Sequence, residues 1–233
     1  MNIVDFIILM VMSIGIVFGM YNGLILSALH TASFFLSWLT SLILYPKLTE
    51  IVLEKFPSLL NMITLYTEGS AQIPTIEEKI ANIRTFTPEM LEKIVEKVQL
   101  PIPFNRIIIA DFSHSLENVQ TLGEYFDSTM AIAVINIFSF VILFLLAKVI
   151  FTVIISIGKT VANLPVLKKC DSLAGGAFGI VRGIFMVYLV FALVPILLVL
   201  APIDLIKESL DGSKLADFFL NTNIFTSFVK GWF

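Results

Sequence analysis

The sequence predicts an all-α, polytopic membrane protein with four transmembrane helices and additional short amphipathic helices. Hydrophobic residues make up 58% of the 233 positions and charged residues only 14%, whereas soluble domains carry about 25% charged residues. The charges are also grouped, so that long tracts contain no Asp, Glu, Lys or Arg. A tract of about 20 such residues is long enough to cross a hydrocarbon core as one helix.

The first charge-free tract is long enough for two spans. Between Asp5 and Lys47 lie 41 residues without a charged side chain, and one helix of that length would reach about 60 Å, twice the thickness of a hydrocarbon core. The segment from Gly19 to Gly23 is the natural break, because glycine and asparagine tolerate turn dihedrals. We place spans at 3–19 and 24–45, which form a transmembrane hairpin over 1–45. A cleavable signal peptide is the alternative for the first span, but that segment lacks a basic start.

Two further tracts predict one span each within a transmembrane pair over 128–202. They are free of charge at 128–147 and 183–203, and we place the spans at about 128–150 and 173–200. Asp127 or Ser128 is expected to cap the third helix, and Lys148 is expected to snorkel to the interface. Pro195 should tilt or kink the fourth helix.

The segment 46–127 reads as an acidic, helical extracytoplasmic insert. It holds 7 basic and 12 acidic residues. Thr87-Pro88 predicts the start of a helix whose apolar positions recur as one amphipathic face, at Leu91, Ile94, Val95 and Val98. This face is expected to pack within a helical cap or on the membrane surface, with a partner-binding helix as the alternative. The tail 203–233 reads as amphipathic helices that end in Trp232-Phe233, an interface anchor.

The distribution of basic residues predicts the orientation. Segment 148–182 carries five basic residues and one acidic residue, so it is expected in the cytoplasm, together with Cys170. The residues from Ile107 to Met130 before the third span include no Lys or Arg. The acidic insert and both termini are therefore expected to be extracytoplasmic.

A glycine pattern, GxxFGxxxG, occurs twice. The copies contain Gly15, Gly19 and Gly23 in the first hairpin and Gly175, Gly179 and Gly183 at the start of the last span. Glycines four residues apart share one helix face and allow the backbones of neighbouring helices to approach closely. These six residues are helix-packing candidates, with a ligand-binding role as the alternative, and the two copies could pack on each other.

The residues just described carry a resemblance to a known family. Asp5 with the Gly19–Gly23 turn, Leu164-Pro165, Asp171, Gly175, Gly179 and Arg182-Gly183 together resemble the CvpA family of colicin V production proteins. The resemblance implies a multi-pass protein of the bacterial cell membrane. It also implies an accessory role in the production or export of a peptide toxin and in envelope upkeep, with no catalytic residues to transfer.

Three polar side chains are functional candidates because ionisable groups inside a membrane are costly unless they are paired or hydrated. His30 in the second span is expected to be neutral and hydrogen-bonded, with a proton relay as the alternative. Asp171 and Arg182 share one face of the last helix, about 16 Å apart, too far to pair directly. Arg182 could instead contact a lipid phosphate, free carbonyls at a helix end, or a partner.

Several function classes are disfavoured by composition and motifs. One cysteine and two histidines 84 positions apart provide no metal-ligand spacing, and a net charge of −3 argues against nucleic acid. No enzyme motif is recognised, so we expect no catalytic residues and no cofactor. The sequence predicts a scaffold whose partners are membrane lipids and a membrane or envelope protein, or a second copy. A small channel or transporter is the alternative, and an enzyme acting on lipid is a third class.

Overall fold

The all-α prediction is confirmed by a computed structural model, which describes residues 2–98, 100–112, 119–162, 171–200 and 204–229. Those residues contain helices and no strand, apart from one isolated bridge between Asn82 and Thr121. The expectations for Cys170, for Leu164-Pro165 and for Trp232-Phe233 lie outside the described residues.

The helices follow one another along the chain with short connections. They are α1 (Ile3–Lys55), α2 (Pro57–Thr67), α3 (Ile76–Ile80), α4 (Pro88–Lys97), α5 (Phe104–Ala110), α6 (Leu122–Ala162), α7 (Asp171–Leu200), α8 (Asp204–Asp211) and α9 (Lys214–Asn221). Short 3-10 turns lie at Gly69–Gln72, Ile83–Thr85 and Thr226–Phe228.

Three of the described helical segments are long and apolar enough to cross a membrane. They are Ile3–Lys55, Leu122–Ile157 and Asp171–Leu200. The first of them covers both spans predicted for the hairpin, and four crossings therefore stay a prediction. This helix is interrupted at Gly23, whose φ of 73° and ψ of 178° are not helical and suit a residue without a Cβ.

The chain reverses direction at Gly23. Before it, Gly15 and Gly19 lie beside progressively earlier glycines of α7, namely Gly179 and then Gly175. After it, Thr31 bonds the Phe178 carbonyl, and the ring of Phe35 lies 4.6 Å from that of Phe185. Residues 3–22 thus run against the direction of α7 and residues 24–44 run with it. We call these two parts of α1 the first arm (3–22) and the second arm (24–55).

Helix α6 begins earlier than the sequence indicated. It starts at Leu122, because Thr121 accepts a hydrogen bond from the Glu124 amide and the Glu124 carboxylate accepts from the Thr121 amide. This is a capping box, which satisfies two free amides reciprocally. The expectation that Asp127 or Ser128 caps this helix was wrong, since the Asp127 carboxylate accepts a hydrogen bond from the Ser70 amide instead.

The chain forms two compact units, and the first has an aromatic core. This unit consists of Met1–Leu44, Phe140–Ala192 and Asp204–Phe225. Five phenylalanine rings from the second arm, α6, α7 and the tail contact one another with centroid separations of 5.3 to 6.4 Å, and they are Phe34, Phe140, Phe144, Phe185 and Phe225. These buried rings hold together elements that are distant in the sequence.

The tail helices α8 and α9 belong to the same unit. Asp5 at the start of α1 accepts a 2.5 Å hydrogen bond from the Ser213 hydroxyl and a 3.2 Å bond from the Leu215 amide. The Phe219 ring of α9 packs edge-on against Tyr188 at 5.1 Å. The tail is thereby attached to both α1 and α7 through polar and aromatic contacts.

The second unit consists of Tyr45–Ser139, Leu193–Ile203 and Thr226–Phe233. Thr87 caps α4 by accepting a bond from the Met90 amide, as the sequence predicted. The apolar face of α4 is buried inside this unit, at Leu91, Ile94, Val95 and Val98, each at most 5% exposed. That burial supports the cap interpretation over the partner-binding helix.

Candidate functional site

The two glycine motifs lie against each other in the first unit. A Cβ on Gly15 would be 2.7 Å from the Gly179 carbonyl oxygen, and one on Gly19 would be 2.9 Å from the Gly179 Cα. Real Cβ atoms do not approach backbone atoms so closely. The first arm and α7 are therefore in direct backbone contact, an approach that only glycine permits at these positions.

The remaining glycines extend this contact in both directions. Gly183 lies beside Met12, whose Cα would be 3.1 Å from an added Cβ, and Gly175 lies beside Gly23, whose Cα would be 3.0 Å away. Together, Gly15, Gly19, Gly23, Gly175, Gly179 and Gly183 form one seam, which we call the glycine seam.

Asp171 closes the glycine seam at the chain reversal. Its carboxylate lies against the Cα of Gly23 and accepts a 2.6 Å hydrogen bond from the Leu24 amide. Leu24 is the first residue of the second arm, and the first amides of a helix have no partner within it. Asp171 therefore caps a helix to which it does not belong, while it also starts α7, where a negative charge is favourable.

Sequence reasoning singled out Asp171 but not this role. The only available signal was indirect, because the break at Asn22-Gly23 provides the second arm with no capping hydroxyl or carboxylate at its own start. A partner 147 positions away could not be identified from that absence.

Hydroxyl groups of the second arm bind backbone carbonyls of neighbouring helical segments. The Ser27 hydroxyl donates to the Gly19 carbonyl at 2.9 Å, and the Thr31 hydroxyl donates to the Phe178 carbonyl at 3.2 Å. Such bonds stabilise helix contacts in an apolar medium, where unpaired polar groups are costly. Ser37 and Ser41, by contrast, donate to carbonyls of their own helix.

Lys148 enters the bundle beside His30. Its ammonium donates to the His30 carbonyl at 3.1 Å and to the Ser33 hydroxyl, and it lies 3.8 Å from the centroid of the Phe34 ring. Carbonyl, hydroxyl and aromatic groups within the unit thus surround the ammonium, and the expectation that Lys148 snorkels to the membrane interface stays a prediction. Sequence reasoning missed Lys148 as a site residue.

Arg182 lies near Lys148 and not near Asp171. Its guanidinium carbon is 5.8 Å from the centroid of the Phe18 ring, within range of a cation–π contact. Lys148 lies over the Phe34 ring, whose centroid is 6.1 Å from that of Phe185, the third residue after Arg182 on α7. Among the described residues, the hydrogen-bond and ring partners of both cations are uncharged. We call Lys148 and Arg182 the cation pair.

The site thus has a packing part and a charged part. The glycine seam and the Asp171 cap fix the hairpin on α7, and the cation pair could attract an anion. Within the described ranges, no three His, Cys, Asp or Glu side chains are grouped so as to hold a metal ion. The side-chain chemistry present here suits helix association and anion binding.

These features define a small, multi-pass helical membrane protein whose helices are joined through glycine backbones. Residues 109–223 match the family model described as colicin V production protein, which is just under half of the chain. The match confirms the resemblance to the colicin V production family that was drawn from the sequence. The matched residues contain the second glycine motif, Asp171 and the cation pair, whereas the first motif precedes them.

A curated relative supports the membrane assignment. It is described as an uncharacterized transmembrane protein, YshB, of Bacillus subtilis (strain 168), and it is 24% identical over 102 residues, which are 44% of this chain and 55% of the relative. The chain thus spans about half the length of the relative it matches. No solved structure matches the chain, and the family is not known as a family of enzymes.

Proposed function

We propose that the protein acts without catalysis, as a scaffold or accessory component in the production or export of a toxin or peptide and in envelope upkeep. The observation that carries this proposal is that polar side chains within the apolar helices form hydrogen bonds to the backbone of neighbouring segments. Asp171, Ser27 and Thr31 all bind backbone atoms of adjacent helical segments. A bundle fixed in this way presents a constant outer surface, which is what a scaffold needs.

The proposed partners are membrane lipids together with a membrane or envelope protein or a second copy of the chain. The first arm exposes large apolar side chains along its length, including Ile3, Phe6, Ile7 and Val17, which suits acyl chains. In the second unit, Ile76 and Ile80 of α3 are 78% and 66% exposed, although they lie outside the predicted spans. Apolar groups at such a position support contact with another protein.

Photocrosslinking in native membranes tests the scaffold role. A photoreactive residue at Ile76 or Ile80 should capture one reproducible protein, or a second copy of the chain. The matched control is Glu92, an exposed polar position on α4, which should capture nothing reproducible. Capture of lipid alone at both isoleucines would contradict the proposal.

The orientation is also a proposal. We propose that the protein lies in the bacterial cell membrane with the basic segment 148–182 in the cytoplasm and both termini extracytoplasmic. The excess of Lys and Arg in that segment supports this arrangement.

The alternative function, a small channel or transporter, is favoured by one observation. Among the described residues, the cation pair has only uncharged hydrogen-bond and ring partners, as a pathway for anions would require. Chloride flux through reconstituted vesicles should then fall in Lys148→Met, and proton flux should change in His30→Ala if His30 is a relay. Absence of any flux from the unmodified protein would exclude this class.

A further inference from the structure

We infer that Lys148 and Arg182 together form a binding site for a phosphate group, supplied either by the headgroup of a membrane phospholipid or by free phosphate. This site is independent of the proposed scaffold role. It rests on the position, the burial and the unused hydrogen-bond donors of two cations on neighbouring helices.

The predicted spans place the cation pair at the depth of lipid phosphates. Lys148 directly follows the charge-free tract 128–147, and Arg182 directly precedes the charge-free tract 183–203. Each tract is about as long as the hydrocarbon core is thick. Because the basic segment joins the end of the first tract to the start of the second, the predicted spans put both cations at the same boundary of the core.

The charges of the pair are not balanced within the described chain. Both side chains are half-buried, and among the described residues their hydrogen-bond and ring partners are uncharged: the His30 carbonyl, the Ser33 hydroxyl and the rings of Phe34 and Phe18. The one acid on the same helix face, Asp171, is about three helical turns away and is occupied by the Leu24 amide. Two like charges in an apolar setting are costly, and a bound anion would remove that cost.

Donors remain available for such an anion. Lys148 has three N–H donors and uses two of them, on the His30 carbonyl and the Ser33 hydroxyl. Arg182 has five donors, and among the described residues its contact is with the face of the Phe18 ring. A guanidinium fork binds two oxygens of a phosphate at once, and a lysine adds a point charge.

The surroundings favour a phospholipid as the source. Exposed apolar side chains follow Lys148 on α6, at Val149 and Ile150, and flank Arg182 on α7, at Ile180 and Met186. Acyl chains can lie along this surface while the headgroup phosphate is held between the two cations. A phosphodiester carries one negative charge and would compensate the repulsion between them.

Binding to the full-length protein in a neutral detergent tests the site. The probes are phosphatidylglycerol, inorganic phosphate, and oleate, an anionic lipid that has no phosphate. Native mass spectrometry should show one retained phosphatidylglycerol per chain, and its affinity should fall about tenfold or more in Lys148→Met and in Arg182→Met. Lys47→Met, which removes an exposed lysine of α1, should leave the affinity unchanged.

The arms of the experiment separate the two sources. If phosphatidylglycerol is retained and lost in the two variants, the source is lipid. If inorganic phosphate alone raises the melting temperature of the unmodified protein but not of the variants, the source is free phosphate. Both results support the site. Failure of both probes to bind the unmodified protein overturns it, as does unchanged phosphatidylglycerol affinity in the two variants.

The comparison with oleate needs no variant and remains decisive if the variants do not fold. Oleate should bind the unmodified protein more weakly than phosphatidylglycerol, because a phosphodiester adds two ester oxygens in a tetrahedral arrangement to its two charged oxygens, whereas a carboxylate offers two oxygens in one plane. Equal affinity for both lipids would mean that charge alone is recognised, and it would overturn the phosphate site. Arg182→Lys, which keeps the charge but lacks the fork, should bind phosphatidylglycerol with intermediate affinity.

Discussion

At the scale of single residues, the glycine seam depends on the absence of one atom at each position. Gly179 and Gly176 illustrate the difference, since both lie on α7 within one turn. A Cβ on Gly179 would be 3.0 Å from the Gly15 carbonyl carbon and the Ile16 Cα, which are backbone atoms. A Cβ on Gly176 would meet the Met20 side chain, which can move.

Gly179→Ala should therefore destabilise the protein and Gly176→Ala should not. We expect Gly179→Ala to cost about 1–3 kcal/mol, as overpacking does, and Gly179→Leu or Gly19→Leu to lower the yield of folded protein further. Thermal unfolding in detergent measures both effects. Equal stability of the two alanine variants would show that the seam is not a packing surface.

Asp171 acts at the same scale through its hydrogen bond to the Leu24 amide. Asp171→Ala should lose the cap of the second arm and cost about 0.5–2 kcal/mol in the free energy of unfolding. Asp171→Asn should cost less, because the amide oxygen still accepts a hydrogen bond while the negative charge is gone. Ser172→Ala, at an exposed neighbouring position, is the control and should have no effect on chemical denaturation.

At the scale of elements, the stability of the first turn of α4 should depend on pH. Two hydrogen bonds to the Glu89 carboxylate hold its pKa below the usual value. The larger effect comes from the Thr87 side chain and the smaller one from the backbone amide of Glu89 itself. A carboxyl whose pKa is lower in the folded state stabilises the fold above its unfolded pKa, and this contribution is lost as the pH falls through the folded pKa.

Glu89→Gln should therefore lower the melting temperature at pH 7 and leave it unchanged in strong acid, where the carboxyl is protonated in both states. The expected difference is small, because Glu89 is exposed. Melting curves of both proteins across the acidic range provide the measurement. A difference that stays constant with pH would point to a cause other than the charge of Glu89.

At the scale of the whole molecule, the orientation can be tested with one cysteine at a time. Cys170, the only cysteine, lies in the basic segment and should react with a membrane-impermeant maleimide only after the membrane is opened. A cysteine at the exposed position Glu92 of α4, with Cys170 changed to Ser, should react in intact cells freed of any outer barrier. The reverse pattern would show that the orientation is the opposite of the one proposed. Identical reactivity at both positions would show that one of the four predicted spans does not cross the membrane.

The sequence by itself determined the helical class, the membrane setting, the glycines that share a helix face and the residues of the apolar face of α4. Each of these follows from composition or from a short-range periodic pattern. A break within 19–23 also followed from local chemistry, since Gly23 is suited to a positive φ. These features depend on neighbours within a few residues, and their signals can be read along the chain.

Only the tertiary structure decided which distant groups meet. It showed hydrogen bonds between Asp171 and Leu24, between Asp5 and Ser213, and between Lys148 and His30. The partners in each bond are more than 100 positions apart, and no periodic pattern in the sequence indicates them. It also moved the start of α6 to Leu122, because the Thr121 and Glu124 capping box satisfies two backbone amides while Asp127 is occupied by Ser70. Contacts of this kind depend on the three-dimensional path of the chain, since the free energy of a polar group depends on which partner the fold brings to it.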